Sequence, residues 1–133
     1  KMGARQHAKV VFNPQFQGEG VTDSGLKIPL GLEESQARPY DLLMIGLGTC
    51  FYATFLVLTR EKKISFESVE IELSGMKRDE TPTTMKTCRL EMTVTGAEDE
   101  TGLKALFDLA GKNCSIYQTI SHVAEMESVI IFK

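Results

Sequence analysis

The residues of this chain best suited to covalent chemistry are three cysteines, Cys50, Cys88 and Cys114. A thiolate attacks peroxides and other electrophiles, and two thiols brought together exchange a disulfide. The count is odd, the spacings are long and no Cys-x-x-Cys pair occurs, so a secreted disulfide framework is not expected. A reducing, cytoplasmic setting is, with any disulfide transient. Cys50 sits in the middle of an uncharged stretch, where a free cysteine commonly serves as a small buried apolar group. Cys114 falls just past the end of one helical pattern and at the start of the next turn, where a helix N-terminus would lower its pKa. For both, packing and reactivity stay open on the residue pattern alone. Cys88 alternates with inward apolar residues of a strand and reads as core. His7 and His122 add no short ligand spacing to the cysteines, so no metal site is expected. The run Glu98–Glu100 lacks the periodic oxygens and glycine of a calcium loop and reads as a solvated helix entry. Neither a glycine-rich phosphate loop nor a serine nucleophile elbow occurs.

The elements that must position these thiols follow from periodicity. Residues 8–31 read as short strands and turns: Val10 and Phe12 alternate with their neighbours, Gly18-Glu19-Gly20 and Asp23-Ser24-Gly25 are turn signals, and Ile28, Leu30 and Leu32 suggest a third strand. Arg38-Pro39-Tyr40-Asp41 reads as a helix start, with proline at the first helical position and a carboxylate in the first turn. That helix is expected to reach about Lys63 and is apolar on every side from Leu42 to Leu58, so its own sheet or another chain must surround it. Its uncharged stretch approaches the length of a membrane span, but glycines and threonines dilute it, and a buried helix is expected instead. Strands are expected over 66–75 and 86–95. The second carries Cys88, Leu90, Met92 and Val94 on one face. A second helix is expected from about Glu100 to Gly111, with Gly111 and Asn113 able to stop it. A short helical turn with Ile116, Tyr117 and Ile120 follows, and then a last strand, Met126–Phe132. His122 falls at a helix end or strand start. The pattern implies an α+β fold with a mostly antiparallel sheet.

Composition narrows the function classes. Fifteen basic against eighteen acidic residues leave a net charge of −3. No basic face is offered to a nucleic acid backbone, so no nucleic acid partner is expected. Hydrophobic residues at 42% and charged residues at 25% are ordinary for a globular chain and exclude disorder. Residues 1–7 (KMGARQH) are expected to be a polar extension, in part an expression scar ahead of Met2, and no signal peptide is expected.

Two segments carry a family resemblance. Pro39-Tyr40-Asp41-Leu42-Leu43-Met44-Ile45-Gly46-Leu47-Gly48-Thr49-Cys50 resembles the OsmC/Ohr segment that opens a long apolar helix and ends in the family's first cysteine. Leu106-Phe107-Asp108-Leu109-Ala110-Gly111-Lys112-Asn113-Cys114 is similar to the helix ending in its second cysteine, and Lys63 to Glu70 resembles the strand between them. The resemblance covers about residues 8–132. It implies a single OsmC-like domain over 8–133, with a long buried central helix and a second helix, in an intertwined homodimer. It also implies a thiol-dependent peroxidase for organic hydroperoxides: Cys50 the peroxidatic thiol, Cys114 the resolving thiol, a dithiol reductant of lipoyl type, and no cofactor or metal. The chain departs from the family pattern at three places. Tyr40 stands where an acidic residue usually follows the proline, Ser115 stands where proline often follows the second cysteine, and residues 8–37 hold no arginine.

Because desolvation raises the pKa of a thiol in an apolar helix, a cation near Cys50 is expected for reactivity. Arg38 and Asp41 are the candidate activating residues. Asp41 lies nine positions before Cys50, about 13 Å along a helix, so neither it nor Arg38 reaches the Cys50 of its own helix. An antiparallel second copy crossing near Gly46 would bring them level. The rival readings are a non-enzymatic dimer that binds apolar or thiol-reactive small molecules, and a redox sensor signalling through a Cys50–Cys114 disulfide.

Overall fold

The structure is a computed structural model and describes residues 3–133; the expected start at Met2 lies outside them. The chain forms two compact units, one up to Leu43 and one from Met44 to Lys133.

The first unit is an antiparallel sheet of β1 (Ala8–Phe12), β2 (Gly18–Thr22) and β3 (Lys27–Leu30), in that order. Asp23-Ser24-Gly25 turns as expected, with Gly25 at φ 90°. Gly18-Glu19-Gly20 does not turn: it opens β2, and Gly18 pairs with both Phe12 and Leu30. A Cβ on Gly18 would lie 2.0 Å from the Val11 carbonyl oxygen, so glycine is there for close backbone approach. The turn comes earlier. The Asn13 side-chain oxygen accepts from the N–H groups of Gln15 and Gln17, both at 3.0 Å, and Phe16 takes φ 60°. Leu32 is not part of the third strand. The chain leaves β3 at Gly31, φ 152°, and Leu32 is exposed. Val10 and Val11 point to opposite faces of β1, and both are more than half exposed.

Helix α1 (Pro39–Lys62) carries Cys50 into the second unit. It ends as Lys63 turns left-handed at φ 57° and the Ile64 N–H reaches back to the Thr59 carbonyl. Of the two covers expected for α1, its own sheet and another chain, the sheet covers one stripe. The buried residues Leu47, Gly48, Phe51, Phe55 and Thr59 form one stripe, while Ile45 (62%) and Val57 (55%) stay open. The reason is local: one face has a sheet to pack on and the other meets nothing in this chain. Gly48 marks the closest approach, since a Cβ there would sit 2.8 Å from the Leu73 side chain. By length and composition α1 could cross a membrane.

The sheet under α1 is β4 (Ser68–Lys77), β5 (Met85–Thr95) and β6 (Glu125–Phe132), in that order. β4 and β5 are antiparallel with Val69, Ile71 and Leu73 turned inward beside Val94, Met92 and Leu90. Cys88 is buried on the same face, as its alternation predicts. β6 runs parallel to β5, which requires a crossover, and α2 (Glu100–Asn113) and α3 (Ser115–Ser121) supply it. Three of the four strand pairings are antiparallel, and the class is α+β as expected. Asp99 caps α2 by accepting from the Gly102 N–H at 2.9 Å, so the run Glu98–Glu100 is the helix entry. The stripe Leu103, Leu106, Phe107, Ala110 is buried, with Phe107 edge-on to Phe51 of α1. Gly111 does not stop α2. It lies inside the helix, which runs on to Asn113 and ends only where Cys114 turns extended at φ −71°, ψ 117°.

Candidate dithiol site

Cys114 is a joint between two helices. Its N–H closes α2 on the Ala110 carbonyl at 2.8 Å, and its sulfur caps α3 by accepting from the Tyr117 N–H at 3.4 Å. The position is fully buried. Ile120 and the stripe of α2 hold the joint against the core, and the Tyr117 ring lies 6.1 Å from that of Phe51. Phe51 follows Cys50 directly, so the aromatic that anchors α1 also sets where Cys50 faces.

The structure brings Cys50 and Cys114 together. Their sulfurs are 3.3 Å apart, both are free thiols, and the Cys114 S–H is directed at the Cys50 sulfur. The Ser115 hydroxyl is 3.7 Å from the Cys50 sulfur on another side. Cys50 itself is half-buried, which leaves it a path to solvent.

The two thiols are tuned in opposite directions. At Cys50, desolvation pushes the pKa up. It is outweighed by hydrogen bonds from the Ile116 backbone, the Cys114 thiol, the Ser115 hydroxyl and the Ser115 backbone, so the net shift is downward. Cys114 is pushed up to about 11, chiefly by burial, and further by donating to Cys50 and facing its charge; the Tyr117 N–H only partly offsets this. The expected lowering of Cys114 is corrected. The N–H groups that open α3 act on both sulfurs, those of Ile116 and Ser115 on Cys50 and those of Tyr117 and Ile116 on Cys114, and at Cys114 burial outweighs them. Activation of Cys50 also has a local source other than a cation, namely convergent donors that a cysteine-centred reading of the sequence overlooked. The signal available was the helix start directly after Cys114; how far it would serve each sulfur was a matter of tertiary packing.

The other candidates lie elsewhere. Asp41 accepts the Arg38 N–H at 2.9 Å, and the Arg38 guanidinium donates to the Leu32 carbonyl at 3.3 Å. In their own chain both residues hold the start of α1. Cys88 has only its burial, which raises its pKa. His122 closes α3 and hydrogen-bonds the Gln118 carbonyl at 2.7 Å. Among the described residues no three His, Cys, Asp or Glu side chains gather as a metal-ligand set.

A thiol on a long helix, facing a second thiol at a helix joint above a three-stranded sheet, defines an α+β protein with a poised dithiol. The family model for OsmC-like proteins matches residues 32–128, and the chain belongs to that family. Solved structures agree in fold. An OsmC-like protein from Mycoplasma pneumoniae is 18% identical with a TM-score of 0.88, over 98% of this chain and 99% of that one. A protein from Legionella pneumophila, described as an organic hydroperoxide resistance protein OsmC and a predicted redox protein, is 21% identical with a TM-score of 0.79, over 98% and 99%. The organic hydroperoxide resistance protein OhrB of Bacillus subtilis is 18% identical with a TM-score of 0.68, over 98% of each chain. No curated protein sequence matches the chain.

Proposed function

We propose that this protein is a thiol peroxidase for organic hydroperoxides, with Cys50 as the attacking thiolate and Cys114 as the resolving thiol. The observation that carries the reading is the 3.3 Å sulfur pair with opposed acidities. A nucleophile must be ionised near neutral pH, and a resolving thiol must keep its proton until it is needed. The description of two structural neighbours as hydroperoxide resistance proteins supports the substrate class.

In the proposed cycle the Cys50 thiolate attacks the terminal oxygen of the hydroperoxide. The O–O bond breaks, the alkoxide takes a proton and leaves as an alcohol, and Cys50 becomes a sulfenic acid. Cys114 then displaces the hydroxyl, forming the Cys50–Cys114 disulfide and water. A dithiol reductant, of lipoyl type in this proposal, attacks the disulfide; it leaves as its own disulfide and returns both thiols.

The same proposal includes a cytoplasmic homodimer. The uncovered apolar residues support it: Ile45 and Val57 on the open face of α1, and Val10 and Val11 on the two faces of β1. Gly46 has room on its own chain, its nearest neighbour being the tip of Ile116 at 3.8 Å from a built Cβ. A second α1 crossing there would bring its helix entry, Arg38 to Asp41, over Cys50. Sedimentation of wild type and Gly46→Leu tests the assembly, and a folded, active monomer refutes it. For the chemistry, consumption of cumene hydroperoxide with a dithiol is compared between wild type and Cys50→Ser. Turnover that disappears in Cys50→Ser is expected. Wild type without turnover, or a Cys50→Ser protein that keeps it, overturns the reading.

A further inference from the structure

Ser115 is the first residue of α3, a place where the helix makes no demand on a side chain. The cap is already supplied by Cys114, and the Ser115 carbonyl is engaged separately by the Thr119 hydroxyl at 2.8 Å. Its own hydroxyl points to the Cys50 sulfur at 3.7 Å, a length set by the larger radius of sulfur. This exposed residue thus places its hydroxyl against one sulfur and not against the sulfur beside it.

We propose that Ser115 is a positioning residue of the dithiol site: by donating its hydroxyl to the Cys50 sulfur, it holds that sulfur as the attacking thiolate and adds to the bias that burial of Cys114 sets. The assignment rests on the peroxidase reading for its purpose, but not for its test. A hydroxyl prefers to donate to a charged sulfur over a neutral one. The Cys114 S–H is directed at the Cys50 sulfur as well, which keeps its proton on Cys114.

The test is the pH dependence of Cys50 alkylation by iodoacetamide in the reduced protein, followed by peptide mass mapping so that each cysteine is read separately. Three variants separate the donors. Ser115→Ala removes the hydroxyl and keeps the N–H. Ser115→Thr restores a hydroxyl. Ser115→Pro removes both donors, and it suits the backbone: proline is favoured at the first helical position, and Cys114 at φ −71°, ψ 117° already has the conformation required before proline. A net hydrogen bond of ordinary strength moves the midpoint by about half to one pH unit. Ser115→Ala is expected to raise the Cys50 midpoint by that amount, Ser115→Thr to return it towards wild type, and Ser115→Pro to raise it at least as far as Ala. Far-UV circular dichroism confirms that α3 persists in each.

An unchanged midpoint in Ser115→Ala overturns the proposal. So does an equal rise in Ala and Thr, and so does Cys114 reacting before Cys50 in wild type. A wild type without peroxide turnover, with the midpoints ordered as expected, would refute the peroxidase reading and leave the role of Ser115 standing.

Discussion

Oxidising the sulfur pair should stabilise the fold measurably. A Cys50–Cys114 bond closes a loop of about 65 residues. In the chain-entropy model such a loop removes about 14 cal/mol/K from the unfolded state, or about 4 kcal/mol at 25 °C. The cost on the folded side is small. The sulfurs stand at 3.3 Å and must reach about 2.05 Å, a closure within the reach of side-chain torsions. Oxidation also forfeits the Cys114–Cys50 hydrogen bond and the donors that favour the Cys50 thiolate, together about 1–2 kcal/mol. The expected net gain is therefore about 2–3 kcal/mol. The assay is urea unfolding of fully reduced protein against protein oxidised with one equivalent of peroxide, with peptide mapping to establish the 50–114 bond. The midpoint should rise, and the slope should fall because the cross-linked unfolded chain exposes less surface. By linkage, the folded chain then holds its disulfide about 45–65 mV more reducing than the unfolded chain does. Oxidised protein with the mapped bond but no gain in stability would refute the reasoning, since the joint at Cys114 would then be paying in strain what the loop returns.

Two further outcomes follow from the same structure. Gly18→Ala should destabilise the first unit by about 2–3 kcal/mol, because the new Cβ meets a backbone oxygen that cannot yield; the control is Gly111→Ala inside α2, whose new Cβ meets ordinary contacts at 3.9–4.0 Å and which gains up to about 1 kcal/mol in helix propensity, both read by thermal melting. In the reduced protein stability should fall as pH rises from about 9 to about 11, because unfolded Cys114 ionises while folded Cys114 keeps its proton; the loss from this group is on the order of 2 kcal/mol and should be removed in Cys114→Ser, where only the fall due to buried Cys88 remains. Cys50 acts with the opposite sign. Its depressed pKa adds stability that is present above the unfolded thiol pKa and is lost as pH falls through the folded value.

The parts of this fold that were legible in the sequence are those decided by neighbours along the chain. The alternation Cys88, Leu90, Met92, Val94 gave β5 and its inward face, and Pro39 with Asp41 gave the start of α1. The misreadings share one cause, the unseen partner across space. Gly18 looks like a turn residue until β1 is laid against it, and then it is a contact. Gly111 looks like a stop until the extended turn at Cys114 is seen to be the real one. The apolar circumference of α1 says that something must cover it, but not that its own sheet covers only one stripe. At the site the two cysteines were recognisable by residue type and resemblance, whereas their contact, 64 positions apart, depends on the crossover through α2. The opposed acidities were less legible still. They depend on which of the first N–H groups of α3 each sulfur meets and on how far burial outweighs them, and no spacing in the sequence encodes that.

Position 114 places chemistry and folding in competition for one side chain. As the cap of α3 it is asked for a good acceptor, and sulfur is a weak one beside the oxygen of serine, threonine or aspartate. A serine there would keep the cap, improve it and end the proposed redox cycle, whereas an alanine would lose both. The two substitutions therefore answer different questions, and only serine isolates the thiol. Under selection for stability alone the cysteine would be expected to drift to serine. Its retention at a place where a better helix-starting residue fits would then record a demand on the sulfur itself, and the strength of that demand could be read by letting variants at this position compete with and without hydroperoxide.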